Sequence, residues 1–399
     1  MKTVFSAENL LLPRTDPTRW AVIACDQFTS QPEYWREAEK LVGDAPSALR
    51  VVLPEVYLGQ DEEARVAAIN RTMREYTENG VLEEHPDSMI YVERQTRTGV
   101  RHGLIGTIDL DDYDFRPGSD SLIRATEQTV LERIPPRVRI RRDAPLELPH
   151  VLLLMDDPDN TVLGPLGQMT DHRRPAYDFD LMLDGGHIRG DFLDAEAQTA
   201  VAAALARLQE TCRGLLFAVG DGNHSLATAK SCVSVDPASH RALVELVNLH
   251  DPSLVFEPIY RVLFHADVPS MWTELTRDLE AGYTGADAQR LVRVTAQEET
   301  AVTVRPTGHL PVATLQGWLD GYLARHPEVG IDYIHGEDTV RMLCREPDTV
   351  GFLFDGMRKD ELFEAVRADG ALPRKTFSMG TAHDKRYYFE ARRIRTITG

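Results

Sequence analysis

Short apolar runs alternate along the chain with longer stretches of helical period, and this order predicts a mixed α/β fold. Trp20–Cys25 reads as a buried strand and Pro32–Val42 as a helix. Ala64–Glu78 is amphipathic, with Ala67, Ala68 and Met73 available to one face, and Asn79-Gly80 stops it. Met89–Glu93 and Leu104–Leu110 read as strands on either side of a turn at Thr98-Gly99. Val151–Met155 is a continuous apolar run, the pattern of a strand buried on both faces. Leu181–Leu183 and Ile188–Phe192 flank Asp184-Gly185-Gly186, a hairpin signal. The Ala- and Leu-rich stretch Asp194–Glu210 predicts a helix with an aspartate at its start.

Two regions join pattern to chemistry. After a short strand at Leu122 and Ile123, a helix is expected from about Thr126 to Ile134. Thr129 and Glu132 fit a capping box within it, and Pro135-Pro136 breaks it. Arg137, Arg139 and Arg141 then alternate as one face of a strand would. Further on, Gly214–Val219 predicts a buried strand, Gly220-Asp221-Gly222-Asn223 a turn, and His224–Cys232 a helix. Beyond Pro258 the pattern gives a helix at Leu315–Arg325, a strand at Ile331–Ile334 and a helix from Glu337. A strand at Val350–Phe354 and a helix at Met357–Ala368 follow, then Lys375–Ser378 and a last strand at Tyr387–Arg393. Two domains are expected, residues 1–265 and 266–399, parted near 262–268.

Composition narrows the function classes. A formal charge of −19 on 399 residues repels phosphate backbones and anionic lipid, so neither nucleic acid nor a membrane is an expected partner. Cys25, Cys212, Cys232 and Cys344 lie too far apart for a zinc or redox pair and suit a reducing compartment. No apolar stretch is long enough to span a bilayer, and no basic segment leads into a long apolar run at the start, so the cytoplasm is the expected location. The thirteen histidines lack ligand spacing, and neither a His-Glu-x-x-His helix nor a Gly-x-Ser-x-Gly elbow occurs.

Four segments carry candidate chemistry. At Gly220-Asp221-Gly222-Asn223-His224-Ser225 a strand turns into a helix, and glycines there allow positive φ and close approach of a ligand. The helix start offers free N–H groups to an anion, Asp221 a magnesium ligand, and His224 a donor to a phosphate oxygen. The bland alternative is a plain turn with Asn223 or Asp221 as cap. In Arg124-Ala125-Thr126-Glu127-Gln128-Thr129, Glu127 is either a first-turn acid favoured by the helix dipole or a general base for a hydroxyl. Arg133, Arg137, Arg139, Arg141 and Arg142 either pair with nearby acids such as Glu132, Asp143 and Glu147 or bind phosphate. Arg374-Lys375-Thr376-Phe377-Ser378 suits a carboxylate or a phosphate.

Taken in order, these segments resemble a bacterial family of unknown function related to the free L-serine kinases. The resemblance also runs through Ala24-Cys25-Asp26-Gln27-Phe28-Thr29-Ser30-Gln31-Pro32-Glu33-Tyr34-Trp35, Val52-Leu53-Pro54-Glu55-Val56-Tyr57-Leu58 and Val247-Asn248-Leu249-His250-Asp251-Pro252, and ends at Pro373-Arg374-Lys375-Thr376. It implies a ParB/sulfiredoxin-like core. It also implies ATP or ADP as phosphoryl donor, Mg2+, and an L-serine-like acceptor. Glu127 matches the glutamate thought to take the serine proton. Asp221 and His224 match the kinases' Asp-Gly-His-His-Arg loop, whereas Asn223 and Ser225 depart from it, and Ser225 removes a strong phosphate ligand. Lys375 and Thr376, with Ser378 nearby, match the segment that holds the acceptor. Gly220, Gly222, Arg124 and Arg139 complete the expected phosphate-binding set. A homodimer is compatible with this reading. A nucleotide-binding switch or hydrolase, and a non-catalytic metabolite-binding regulator, remain open beside the kinase.

Overall fold

The computed structural model describes residues 3–129, 134–234 and 236–395. The chain divides into two compact units, Met1–Val255 with Gly380–Gly399, and Phe256–Met379. Arg133 and Glu132, singled out in the sequence, lie outside the described residues.

The first unit is built on a mixed sheet. Its strands run in the order Arg173–Asp180, His187–Leu193, Ile90–Thr96, Gly99–Asp109, Arg241–Asn248, Leu152–Met155, Phe217–Asp221, Ile123–Ala125 and Tyr113–Asp114, and Phe5–Ser6 also pairs with Gly99–Asp109. Side chains alternate across it as the two-residue period demands. Ile90 and Val92 enter one apolar cluster, Met89 and Tyr91 the other. The first cluster takes Trp35 and Ala38 from helix Pro32–Val42 and Ile69 and Met73 from helix Glu62–Glu78. The second takes Val201 and Leu205 from helix Ala195–Thr211, whose Asp194 cap accepts the Ala197 N–H at 2.9 Å. Leu152–Met155 is buried throughout, between a parallel partner, Arg241–Asn248, and an antiparallel one, Phe217–Asp221.

Several expectations need correction. Pro135-Pro136 lie within a helix, described over Ile134–Arg142, and do not end one at Ile134. A proline's fixed φ and missing N–H are harmless in a first turn, where that N–H has no partner in the helix. Thr126–Thr129 are not helical, and Arg137, Arg139 and Arg141 lie on this helix rather than on a strand. Trp20–Cys25 splits into helix Pro17–Trp20, capped by Asp16, and the short strand Val22–Ile23. Tyr387–Arg393 reduces to two brief pairings, Tyr387–Tyr388 on Val22–Ile23 and Arg392–Arg393 on Leu146–Glu147. Leu181–Leu183 lie in the hairpin connection and not in its strands.

The second unit is another α/β layer. Its sheet runs Glu299–Val304, Gln289–Val294, Thr349–Phe354, Phe256–Phe264 and Gly330–His335, with Phe377–Met379 beside Phe256–Pro258. Helices Val268–Asp278, Pro311–Arg325, Glu337–Leu343 and Lys359–Asp369 complete it. The division falls at Val255/Phe256, whereas residues 262–264 lie inside strand Phe256–Phe264, and Gly380–Gly399 belongs to the first unit. Strand Phe256–Phe264 pairs wholly inside the second sheet. Among the described residues, no helix is long and apolar enough to cross a membrane.

Candidate functional site

Strand Ile123–Ala125 runs parallel to Phe217–Asp221, setting Ile123 opposite Phe217 and Ala125 opposite Val219. Glu127 and Asp221 each follow that last pair by two residues. Both therefore stand at the carboxyl ends of adjacent parallel strands, the side on which open α/β sheets bind ligands. The buried Thr126 fixes the chain between them by donating its hydroxyl to the Val219 carbonyl at 2.7 Å.

The turn that follows depends on Gly222. Its φ is +82°, and a Cβ there would stand 3.0 Å from the Val151 Cα. Conformation and space both require glycine. Helix Asn223–Ser231 starts at this residue, its first backbone bond running from the Leu226 N–H to the Gly222 carbonyl at 3.0 Å. The N–H groups of the first turn are thus presented at the strand end, as an anion site needs. Gly222→Ala is expected to cost about 1–3 kcal/mol of stability from backbone strain alone. Thermal unfolding checks this, and an unchanged midpoint would show that the turn tolerates a side chain.

Charged groups gather beside the turn. Asp221 accepts the Gly222 N–H at Oδ1 (2.9 Å), and its Oδ2 lies 3.4 Å from Lys385 Nζ. Asp26 Oδ2 is 3.8 Å from Nε2 of the buried His150. The Tyr388 hydroxyl links His150 Nδ1 (2.8 Å) to the Cys25 N–H (3.2 Å). Burial alone would push the Asp26 carboxyl up, but His150, Gln27, Lys385 and Arg137 outweigh it and hold the group below the usual carboxylate range. Burial pushes the Cys25 thiol up to about 11, so it stays protonated and unreactive at neutral pH. An apolar cavity of about 150 Å³ begins next to the turn, with Leu53, Ile140, His150, Val151, Ser225 and Tyr388 among its walls. Among the described residues, no three His, Cys, Asp or Glu side chains cluster as metal donors.

Residues 8–396 match the family described as "Protein of unknown function (DUF1015)". The chain belongs to this family. No curated protein matches the sequence. Among solved structures, a free serine kinase in complex with AMP is similar over 71% of this chain and 90% of its own, at 12% identity and a TM-score of 0.41. SbnI with a C-terminal truncation, from Staphylococcus aureus, is similar over 71% and 85%, at 11% identity and a TM-score of 0.39. A conserved hypothetical protein from Pyrococcus furiosus is similar over 72% and 94%, at 12% identity and a TM-score of 0.37.

Within this DUF1015 chain, the structure brings together Glu127, Gly220, Asp221, Gly222, Asn223, His224 and Ser225 at one strand end and the helix it leads into. His224 and Ser225 are half-buried in the first helical turn, and the Thr228 hydroxyl donates to the His224 carbonyl at 2.7 Å. Arg124 points the other way. Its guanidinium donates to the carbonyls of Ser121 and Gly214, both at 2.8 Å, at the opposite end of the two strands. The clustered arginines find acids on neighbouring elements: Arg137 pairs with Glu55, Arg139 with Glu62 and Arg141 with Glu147. Lys375, Thr376 and Ser378 belong to the second unit. Lys375 is exposed in a turn at φ +57° and its carbonyl accepts from Arg261 at 3.0 Å. Thr376 is buried and donates to the Pro373 carbonyl at 2.7 Å, while Ser378 lies opposite Glu257 on the sheet.

Asp26, His150 and Lys385 were not among the residues singled out for chemistry. Asp26 lies in the first segment of the resemblance, so a signal for it existed. His150 and Lys385 sit in no recognisable motif, and folding alone brings them to the turn.

Proposed function

We propose that this chain is a phosphotransferase that moves a phosphoryl group from ATP or ADP to the hydroxyl of L-serine or a similar small metabolite. One observation carries the reading: Glu127 and Asp221 stand at the same carboxyl end of adjacent parallel strands, beside a glycine turn that opens a helix. Phosphoryl transfer asks a protein mainly for positioning, for positive charge around the transferring group and for a base near the attacking hydroxyl. Glu127 supplies the base. The N–H groups after Gly222 and the His224 side chain receive phosphate oxygens. Asp221 is the donor that fits Mg2+. An ion bound through one protein carboxylate, with phosphate and water completing its shell, is the usual magnesium arrangement in such sites. When bound, that ion neutralises charge on the phosphates. Lys375 and Thr376 are assigned to the acceptor's carboxylate on the sequence resemblance, and the cytoplasm, with its nucleotide supply, is the setting the reading requires.

The test offers ATP, then ADP, with magnesium against a panel of small hydroxyl compounds including L-serine, with products read by mass spectrometry. O-phosphoserine is the expected product. Nucleotide loss without a phosphorylated acceptor would replace the kinase with a hydrolase. No turnover and no nucleotide binding by calorimetry would end the phosphotransferase reading. Asp221→Asn is expected to raise the magnesium concentration needed for half-maximal rate, and an unchanged titration would remove Asp221 from the metal site.

A further inference from the structure

By the sequence resemblance, Ser225 takes the loop position of a phosphate-binding arginine in the free L-serine kinases, which leaves a cation to come from elsewhere. Arg137, Arg139 and Arg141 are engaged with Glu55, Glu62 and Glu147, and Arg124 reaches the far end of its strand. Lys385 is placed differently. Its ammonium lies 3.4 Å from Asp221 Oδ2, at the mouth of the turn, with the side chain only 18% exposed. The backbone around it is held on both sides. Buried Arg94 donates to the carbonyls of His383 (2.7 Å) and Lys385. Buried Arg386, the next residue, donates to Glu245 at 3.0 Å, to Glu390 at 2.6 Å and to the Pro149 carbonyl. Pro149 directly precedes His150 and Val151, and Val151 is the residue against which Gly222 packs. The ammonium is thus delivered to the turn on a fixed backbone, and its tip rests against Asp221 at ordinary ion-pair distance.

We propose that Lys385 is the phosphate-binding cation of this site, leaving Asp221 for an oxygen of the nucleotide's phosphates when nucleotide and magnesium arrive. The inference rests on the phosphotransferase reading above. A lysine suits the exchange because its ammonium is a compact charge on a flexible stem with three donors, able to change partner without moving the backbone. It also explains how a chain that lacks the loop arginine keeps positive charge at the helix start.

The experiment is calorimetry of wild type, Lys385→Met, Lys385→Gln and Lys385→Arg with magnesium–ADP and with adenosine. The Gln variant keeps the stem and a polar tip, so a folding defect in the Met variant does not decide the result. Loss of one charged hydrogen bond predicts that ADP affinity falls by about tenfold or more in the Met and Gln variants. Adenosine affinity is expected to stay constant, and Arg to recover most of the loss. An unchanged ADP affinity in Lys385→Gln would overturn the proposal, as would an equal fall for ADP and adenosine, which marks a merely structural role. Wild type that binds neither ligand would instead sink the phosphotransferase reading itself, and this proposal with it.

Discussion

Glu127→Gln is expected to lower phosphoryl transfer by about 100- to 10,000-fold, the usual contribution of a general base, while leaving magnesium–ADP affinity unchanged. Glutamine keeps the length and shape of the side chain and can still hydrogen-bond a hydroxyl, but it cannot take the proton. The effect should therefore fall on kcat, with little change in the KM for the acceptor. On the proposed reading the same carboxylate distinguishes serine from alanine, because a group placed to bond a hydroxyl loses its partner when alanine binds. Steady-state kinetics beside calorimetry make the check. A wild-type kcat would exclude Glu127 as the base, and a lost nucleotide affinity with kcat intact would make it a nucleotide ligand instead.

The sequence was legible where one signal dominated. Asp194–Glu210 is long, rich in helix formers and capped, and Ala195–Thr211 is the helix that forms. Leu152–Met155 is apolar throughout because it is buried throughout between two sheet partners, with Leu153 and Met155 in one of the apolar clusters. The Gly222 turn was legible because its glycines and following helix are local. Arg241–Asn248 was missed although it is a central strand. Glu245 sits in the middle of it, buried, and reads as a surface residue until Arg101 and Arg386 are seen to neutralise it. Pro135-Pro136 misled because a proline pair marks a helix edge without saying on which side the helix lies. The alternation of Arg137, Arg139 and Arg141 suggested a strand, but their partners Glu55, Glu62 and Glu147 come from three separate segments and overrode it. Half of the candidate site is local sequence. The other half, Lys385 and His150, arrives through Arg386 and Pro149, and no spacing rule reaches across so long an interval of chain.

That dependence makes Arg386→Met the substitution with the largest expected effect on stability. Arg386 is 4% exposed and its guanidinium meets Glu245, Glu390 and the Pro149 carbonyl, all within the first unit. Burial pushes the Glu245 carboxyl up, but Arg101, Arg386 and Arg94 together hold it below the usual carboxylate range. Methionine fills much of the arginine stem's volume and leaves Glu245 and Glu390 with less compensating charge. Breaking a buried pair in this way costs about 3–5 kcal/mol. For a unit of this size that corresponds to a midpoint lower by roughly 5–10 °C. The pH dependence carries a sign. In wild type the lowered Glu245 pKa gives stability that is present above the unfolded carboxylate pKa and lost as pH falls through the folded one. Without Arg386, burial weighs more heavily, the carboxyl pKa rises, and acidification relieves the variant. The gap between the two melting curves is therefore expected to be widest near neutral pH and to narrow toward the carboxylate range. A constant gap would mean that lost packing, rather than unpaired charge, sets the cost. Because Arg386 also fixes the backbone beside Lys385, the variant should bind magnesium–ADP more weakly even at temperatures where it is fully folded, which ties the buried ion network to the site it supports.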